Sequence, residues 1–182
     1  MGKLSNCQLK ETQRAFETPV GRIVAAACRR GLHSIQFESD PNQEFDGEHF
    51  DESGLKHLEA LASWLDAYFN GSEAKASGVA IPSVCFLDGE GKDDNFTRRC
   101  LKALLEVRFG GTVSYGQLAA MAGRPKAARA VGQAMGANPL PLVIPCHRVI
   151  CSNGAIGHYA SGKRDDAKKW LLDHEKAIYN SK

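Results

Sequence analysis

The hydrophobic pattern of the 182-residue chain changes character near its middle, and this change limits the folds open to it. In the first third, short extended runs alternate with the turn signals TPVG and RRG, and they cover residues 15–17, 22–27 and 32–37. Leucines at helical spacing then follow Ser53 and end at Gly71. The pattern predicts a small antiparallel sheet plus one helix with Ser53 as its N-cap.

The second half of the sequence has a helical pattern. Residues 72–94 are polar and rich in glycine, which indicates a connection between domains. Beyond it we expect a helix over 95–108, a short helix opened by the capping box of Ser114 and Gln117, and a third helix over 126–135. The last two helices predict a helix-turn-helix of the winged-helix type in an α+β protein.

The charged residues are also distributed unequally between the two halves of the chain. Residues 1–90 contain 8 Lys/Arg and 14 Asp/Glu, a net charge of −6, whereas residues 91–182 contain 15 and 7, a net charge of +8. We therefore expect two domains with these boundaries, an N-terminal α/β structural domain and a C-terminal domain that faces a polyanion such as DNA. Electrostatic attraction between the two domains explains the same charge distribution equally well.

Cysteine content and hydropathy limit the cellular compartments in which we expect to find the protein. No run of about 18 apolar residues occurs, and residues 1–10 lack the apolar core of an export signal. We therefore expect neither a membrane protein nor a secreted one. In a reducing compartment the six cysteines are expected to be thiols, metal ligands or a nucleophile rather than a disulfide framework.

The helix expected over 126–135 consists mainly of alanine and glycine, with Arg129 in its middle. A surface of small side chains allows close approach to a neighbouring helix or to a nucleic acid. Packing against a helix is the more frequent case. Arg129, however, has no acidic residue three or four positions away, and an unpaired arginine suits a probe inserted into a base stack.

The segment LVIPCHRVI at 142–150 holds the strongest candidate for chemistry. A cysteine in an apolar run is commonly a small buried side chain. Here His147 and Arg148 follow Cys146 directly, and nearby cations and a helix N-terminus both favour thiolate over thiol. The residues alone therefore favour a nucleophilic Cys146 over a structural thiol.

The segment PCHRV at 145–149 is similar to the active-site signature of the O6-alkylguanine-DNA alkyltransferases, also called methylated-DNA–protein-cysteine methyltransferases. Further matches follow in order and spacing: FTR at 96–98, VSY at 113–115, PKAARAVG at 125–132, GAIGHY at 154–159 and WLLDHE at 170–175. The resemblance is most specific over residues 95–175. It implies a DNA repair protein that moves an alkyl group, such as methyl, from guanine O6 in duplex DNA to its own cysteine, once per molecule.

The resemblance also implies roles for individual residues. Cys146 is expected to be the nucleophile, with His147 drawing its proton through a water while Glu175 orients His147. Asn138 is expected to hold this network, and Tyr115 to hydrogen-bond the guanine ring and help the leaving base accept a proton. The expected substrate pocket consists of Tyr115, Met135, Val149, Tyr159 and Ala160.

The implied partner is the minor groove of double-stranded DNA, with the damaged base flipped out of the helix and Arg129 filling the gap. The expected DNA-binding residues are Thr97, Tyr115, Gly116, Arg124, Ala127, Ala128, Arg129, Ala130 and Ser152. Gly116 and Arg124 depart from the Gln and Asn frequent in the family, which we expect to alter affinity without loss of function. The segment 160–165 is slightly longer than in the family, which leaves the preference among alkyl groups open.

Cys28 and His33 flank a turn and are close enough in sequence to bind one metal. The resemblance implies no organic cofactor, but some family members carry a structural zinc on two Cys and two His. Cys7, Cys28 and His33 match three of those positions, and Cys85 matches the fourth with Cys in place of His. Four unrelated residues remain the alternative.

Two other classes of function stay open at the level of the residues. A Cys-His hydrolase or glutaminase uses a similar nucleophile but turns over repeatedly, and a helix-turn-helix regulator binds DNA without chemistry. The resemblance further implies a monomer, which we expect in the nucleus if the source is eukaryotic and otherwise in the cytoplasm.

Overall fold

The computed structural model describes residues 11–38, 52–71, 79–88 and 95–179. The chain divides into two compact units, Met1–Glu90 and Gly91–Lys182. The first unit combines a three-stranded sheet with helices, and the second is mainly helical with one two-stranded pairing. The α+β class predicted from the sequence is confirmed.

The sheet of the first unit consists of β1 (Thr12–Phe16), β2 (Ile23–Cys28) and β3 (Gly31–Phe37). All neighbours are antiparallel, in the order β1-β2-β3, and a register shift interrupts the β2–β3 pairing at Ala26 and Ala27. The predicted extended runs are confirmed, with ends that move by up to three residues. Such shifts arise because strand ends are set by pairing rather than by local pattern.

Helix α1 (Glu52–Asn70) packs on all three strands. Its leucines at 58, 61 and 65 are buried, as their spacing requires. The helix begins one residue before Ser53, so the prediction that Ser53 is the N-cap is wrong. Gly54 lies so close to the sheet that an added Cβ would be 2.7 Å from the carbonyl oxygen of Ala27.

The segment that was expected to connect the domains contributes to the first unit instead. Residues 79–88 include helix α2 (Cys85–Asp88), and Val84 to Leu87 are buried. Leu32 of β3 donates a backbone hydrogen bond to the carbonyl of Ser83 at 2.8 Å. Gly31 (φ +147°) permits this approach, because a Cβ there would lie 2.5 Å from the same oxygen.

The second unit begins with three helices: α3 (Phe96–Leu104), α4 (Tyr115–Met121) and α5 (Ala128–Gly136). Helix α3 is shorter than the predicted 95–108, with Asn95 as its N-cap. The capping box of Ser114 and Gln117 is confirmed. Helix α5 begins two residues later than expected, because the backbone of residues 124–127 forms a turn.

The remaining elements position the segment 142–150. Parallel strands β4 (Val113–Ser114) and β5 (Val149–Ile150) join the start of α4 to the end of that segment. The sequence did not predict this pairing, since two-residue strands leave no periodic pattern. Helix α6 (Asp165–His174) follows, with its buried face on Ala167, Leu171 and Leu172. Among the described residues, no helix combines the length and apolar character needed to cross a bilayer.

Candidate functional site

Cys146 opens a short 3-10 turn, Cys146–Arg148, and its side chain is buried. Asn138 stabilises the segment that precedes Cys146 by two hydrogen bonds. Asn138 Oδ1 accepts from the backbone of Leu140 at 3.1 Å, and Asn138 Nδ2 donates to the carbonyl of Ile144 at 2.9 Å. The same Nδ2 lies 3.1 Å from Cys146 Sγ. Asn138 therefore links the fold of the loop to the position of the sulfur.

This loop stores backbone strain. Leu142 has φ +74°, a conformation that a branched side chain rarely adopts, yet its side chain is buried. A residue held there costs on the order of 1–3 kcal/mol and persists only where surrounding contacts fix it. The Asn138 hydrogen bonds and the buried apolar run 142–144 provide those contacts.

Burial raises the pKa of the Cys146 thiol, so the resting side chain is a thiol rather than a thiolate. Hydrogen bonds from Asn138 and Tyr159, and the positive charge of Lys168, act in the opposite direction. The expectation that the neighbouring Arg148 favours the thiolate is wrong, because its guanidinium is engaged elsewhere. Lys168, which the sequence analysis did not single out, supplies that charge.

Glu175 is the centre of a buried ionic network. Its carboxylate accepts from His147 Nε2 at 2.9 Å, from Arg148 Nε and Nη2 at 2.8 Å each, and from the backbone of Gly110 at 3.1 Å. Burial by itself raises the pKa of Glu175, but the His147 and Arg148 interactions outweigh it and hold that pKa well below its usual range. Glu175 is therefore ionised at neutral pH.

The ionised Glu175 sets the protonation of His147. A carboxylate can only accept, so the hydrogen bond at Nε2 places the imidazole proton there and leaves the lone pair on Nδ1. Burial lowers the pKa of His147, which keeps the ring neutral before reaction, and Glu175 opposes that effect. This arrangement is a base whose protonated form is stabilised by a buried carboxylate.

Lys168 is almost fully inaccessible, with 1% exposure, and Nζ donates to the carbonyl of Val149 at 2.7 Å. Burial lowers the pKa of Lys168, while the proximity of Cys146, Cys151 and Asp165 opposes that change. The burial of Lys168 could not be predicted from the apolar periodicity of the sequence, because most lysines in helices are exposed.

Tyr115, the first residue of α4, is half-buried beside two thiols. Burial raises its pKa, and the proximity of Cys151 and Cys146 raises it further, so the hydroxyl stays protonated and able to donate. A Cβ added at Gly157 (φ +65°) would lie 3.3 Å from Cys151 Sγ and 3.5 Å from the Tyr115 hydroxyl. The missing side chain of Gly157 therefore leaves space next to that hydroxyl.

The other expected pocket residues differ in exposure. Tyr159 is buried and Val149 is completely so, whereas Met135 at the end of α5 is half-buried. Ala160 is exposed and begins a 3-10 turn, Ala160–Gly162, with φ +48°. Asp165 holds this turn by accepting from the backbone of Tyr159 at 2.7 Å and from His158 Nδ1 at 2.9 Å.

The expected DNA-binding residues lie on or next to the three helices of the second unit and on the turn after β5. Thr97 is in the first turn of α3, Gly116 in that of α4, and Ser152 is exposed after β5. Arg124 and Arg129 are exposed, and the alanines at 127, 128 and 130 are half-buried. Within the part of the chain that the structure describes, the Arg129 side chain forms no hydrogen bond or ion pair.

A second cluster lies in the first unit. The end of β2, strand β3 and the start of α2 bring Cys28, His33 and Cys85 together, with their ligand atoms within 4.8 Å of one another and all three side chains buried. The expected Cys7 lies outside the described residues. Cys28 Sγ is 3.6 Å from Cys85 Sγ and accepts from the backbone of Arg30 at 3.3 Å.

This cluster fits a zinc ion. Tetrahedral coordination with Zn–S of about 2.3 Å places two sulfurs roughly 3.8 Å apart, close to the observed separation. His33 Nδ1 contacts Glu11 Oε1 at 2.5 Å, and Nε2 is buried without a hydrogen-bond partner among the described residues. A buried nitrogen without a partner is costly, and a metal ion satisfies it.

Together the described residues define a protein with a buried cysteine nucleophile, supported by a His-Glu pair, in a unit whose exposed arginines suit a polyanion. Comparison with known proteins identifies the class further. A family model described as "6-O-methylguanine DNA methyltransferase, DNA binding domain" matches residues 95–177. A second, "6-O-methylguanine DNA methyltransferase, ribonuclease-like domain", matches residues 13–82.

Curated relatives match almost the whole chain. The methylated-DNA–protein-cysteine methyltransferase of Cricetulus griseus is 46% identical over 179 residues, covering 93% of this chain and 83% of that protein. The Homo sapiens protein of the same name is 40% identical over 176 residues, covering 93% and 82%.

Solved structures of proteins in the same family are similar to this one. The O6-methylguanine methyltransferase of Mycobacterium tuberculosis superposes with a TM-score of 0.69 at 30% identity, covering 95% of this chain and 97% of that one. A structure of Mycobacterium tuberculosis OGT in complex with DNA has a TM-score of 0.67 at 30% identity, covering 90% and 92%. The chain belongs to the family of methylated-DNA–protein-cysteine methyltransferases.

Proposed function

We propose that this protein repairs alkylated DNA by transferring the alkyl group from guanine O6 to Cys146, with methyl as the simplest substrate. Membership of the methyltransferase family supports the activity. The observation that carries the assignment is the convergence on one buried sulfur of the Asn138 amide, the Tyr159 hydroxyl and the Lys168 charge, next to the His147–Glu175 pair. These groups all favour the thiolate that the reaction needs.

In the proposed step, the Cys146 sulfur attacks the alkyl carbon, so that an S–C bond forms while the C–O6 bond breaks. The thiol proton moves through a water to His147, and Glu175 stabilises the resulting imidazolium. Tyr115 donates a hydrogen bond to the base as negative charge develops on it. The released guanine takes a proton from water, and the His147 imidazolium returns its proton to water. Asn138 and Lys168 stabilise the thiolate during this transfer.

The product is a thioether, which has no easy leaving group. Nothing in the network of His147 and Glu175 provides a route that regenerates the thiol. Each molecule is therefore proposed to act once, and a Cys-His hydrolase is distinguished from it by repeated turnover.

DNA recognition is proposed for the second unit. The target base must leave the duplex to reach Cys146, a residue that is only 7% exposed. The exposed Arg129, which forms no ion pair with the described residues, is proposed to fill the gap, while the small side chains of α5 approach the minor groove. The DNA complex of the Mycobacterium tuberculosis protein supports duplex DNA as the partner. We propose that a monomer performs the reaction, in the nucleus if the source is eukaryotic.

The experiment that tests the transfer uses duplex DNA carrying a radiolabelled O6-methylguanine. We expect one equivalent of label on the peptide that contains Cys146, and no further reaction. Cys146→Ala is expected to bind the alkylated duplex and to take up no label, with Cys100→Ala, a cysteine of α3, as the matched control that retains transfer. Label that stays on the DNA, or is released as methanol, contradicts the proposal.

We further propose that Cys28, His33 and Cys85 hold a structural zinc ion, with Cys7 as the expected fourth ligand. The buried His33 Nε2, which has no hydrogen-bond partner within the described ranges, and the two neighbouring sulfurs support this assignment. When bound, zinc would stabilise the fold of the first unit by joining β2, β3 and α2.

Metal analysis tests the zinc proposal. We expect about one zinc per molecule of purified protein, and a loss of zinc and of thermal stability in Cys28→Ser and Cys85→Ser. Cys151→Ser serves as the control that keeps its metal. Equal zinc content in all four proteins contradicts the assignment.

A further inference from the structure

Asp165, the first residue of α6, binds the loop that precedes the helix with both of its side-chain oxygens. Oδ2 accepts from His158 Nδ1 at 2.9 Å, and Oδ1 accepts from the backbone of Tyr159 at 2.7 Å. The hydrogen bond from His158 and the one from Tyr159 lower the pKa of Asp165, so this side chain is ionised at neutral pH. The carboxylate therefore joins the start of α6 to the segment that contains Tyr159.

The segment between Tyr159 and Asp165 folds tightly on itself. The backbone of Gly162 and that of Arg164 both donate to the carbonyl of Tyr159, at 3.0 Å and 3.3 Å. Ala160 and Gly162 have positive φ angles, +48° and +84°. A residue other than glycine keeps such an angle only where surrounding contacts determine it. Both backbone polar groups of Tyr159 are thus engaged in this turn, and Asp165 is the acceptor for its N–H.

The side chain of Tyr159 is buried and acts on the sulfur of Cys146. Burial raises the pKa of Cys146, and hydrogen bonds from Asn138 and Tyr159 oppose that change. Lys168, whose charge acts in the same direction, is on α6 three residues after Asp165. A hydrogen bond weakens steeply with distance and angle, so the contact from Tyr159 depends on where its backbone is held relative to α6.

We propose that Asp165 is a positioning residue for the nucleophile: by accepting from the backbone of Tyr159, it fixes the hydroxyl of Tyr159 against the sulfur of Cys146. This inference rests on the proposed function. Asp165 acts only through Tyr159 and has no part in the chemistry itself. The segment 160–165, which is longer than in the family, thereby gains a role in the reaction rather than in DNA binding.

The test uses the full-length protein with Asp165→Ala, Tyr159→Phe and the double variant, and free O6-benzylguanine in excess as the substrate. Each single change is expected to lower the limiting rate of transfer by about tenfold, the order expected for one hydrogen bond to a charged group. Because Asp165 acts through Tyr159, the double variant should also be only about tenfold slower, whereas independent effects would multiply to about 100-fold. The half-saturating concentration should stay within about twofold, since substrate binding is not altered.

Two further variants separate the hydrogen bond from the charge. Asp165→Asn keeps an oxygen that accepts from the Tyr159 backbone, so its rate is expected within about twofold of the unsubstituted protein. Asp166→Ala is the matched control, because Asp166 is exposed in the same first turn of α6 and its loss removes the same charge near the same helix N-terminus. It should leave the rate unchanged. An Asp165→Asn variant as slow as Asp165→Ala overturns the inference.

A second measurement reports on the sulfur without any guanine. The rate at which iodoacetamide alkylates Cys146, followed by mass spectrometry of its peptide, should fall in Asp165→Ala and Tyr159→Phe and stay unchanged in Asp166→Ala. If the unsubstituted protein takes no alkyl group from O6-benzylguanine, the proposed function fails, and the iodoacetamide rates still decide whether Asp165 positions Cys146.

The double variant decides the positioning role when transfer itself is normal. Losses that multiply in the double variant, while the unsubstituted protein reacts as proposed, overturn the role of Asp165 alone. Circular dichroism checks that each variant folds. If Asp165→Ala does not fold, Asp165→Ser replaces it in the same comparison, because serine lacks the carboxylate and is favoured at helix starts.

Discussion

Replacing Glu175 with glutamine changes one atom of the most highly connected buried side chain in the second unit. The carboxylate accepts from His147, from two nitrogens of Arg148 and from the backbone of Gly110, and its side chain is 0% exposed. In the glutamine variant one of the two oxygens becomes an NH₂ group. That donor must then face two of the four existing donors, whichever way the amide is turned.

The magnitude follows from the burial of the partners. The Arg148 side chain is only 11% exposed, so loss of the carboxylate leaves a buried cation without its opposite charge. Breaking a buried ion pair by removal of one partner typically costs about 3–5 kcal/mol of unfolding free energy. We expect Glu175→Gln to fall in this range near neutral pH. The base His147 also loses the charge that stabilises its protonated form, so reaction with O6-benzylguanine should slow by about 100-fold or more.

The effect on stability must depend on pH in a defined direction. The pKa of Glu175 is held well below its usual range in the folded protein, whereas in the unfolded chain it is about 4.3. The unfolded state therefore binds the proton first as the pH falls, and the contribution of Glu175 is complete above about pH 4.3 and decreases below it. The difference in stability between the unsubstituted protein and Glu175→Gln is thus expected to narrow as the pH falls below about 4.

Urea unfolding followed by circular dichroism, near pH 7 and near pH 3, measures both quantities. Glu106→Gln is the matched control, since Glu106 is an exposed residue of the same unit, and it should change the unfolding free energy by no more than about 0.5 kcal/mol. A loss below about 1 kcal/mol for Glu175→Gln near neutral pH, or a difference that widens in acid, refutes the reasoning.

Three other predictions rest on separate features. Lys168→Met removes the charge that favours the Cys146 thiolate, so the pH profile for reaction with O6-benzylguanine should move to higher pH; an unchanged profile shows that Lys168 acts only in packing. Arg129→Ala should slow repair of duplex DNA more than reaction with free O6-benzylguanine, and equal losses on both substrates contradict a role in base flipping. Gly54→Ala, which in an ordinary helix stabilises by about 1 kcal/mol, should instead lower the thermal stability, because its Cβ would lie 2.7 Å from the carbonyl of Ala27.

Local features were predictable from the sequence because their causes are local. The capping box of Ser114 and Gln117 depends on residues three apart, and the leucine spacing of α1 depends on one helix period. The contiguous segment PCHRV is sufficient to identify Cys146 and the family from the sequence. Helix ends were less predictable: the start of α5 at Ala128 depends on a turn that the alanine-rich pattern does not mark.

The candidate site was predictable only in part. The resemblance supplied His147, Glu175 and Asn138, but Arg148 was assigned to the wrong neighbour and Lys168 was missed. Arg148 is next to Cys146 in the chain, so its charge was expected to act there, whereas its side chain binds Glu175 and the carbonyl of Val107. Proximity in the chain and proximity in space differ wherever a side chain is long and a partner comes from another element.

By itself, the sequence determined the α+β class, the cysteine nucleophile and the family, because periodicity, capping and a contiguous motif are all written within short stretches of chain. Only the tertiary structure decided which charges act on which groups. It brought Lys168 towards Cys146, arranged four donors around Glu175, and placed Asp165 between His158 and the backbone of Tyr159. Electrostatic interactions depend on distance and burial, and both are properties of the folded chain rather than of the order of its residues.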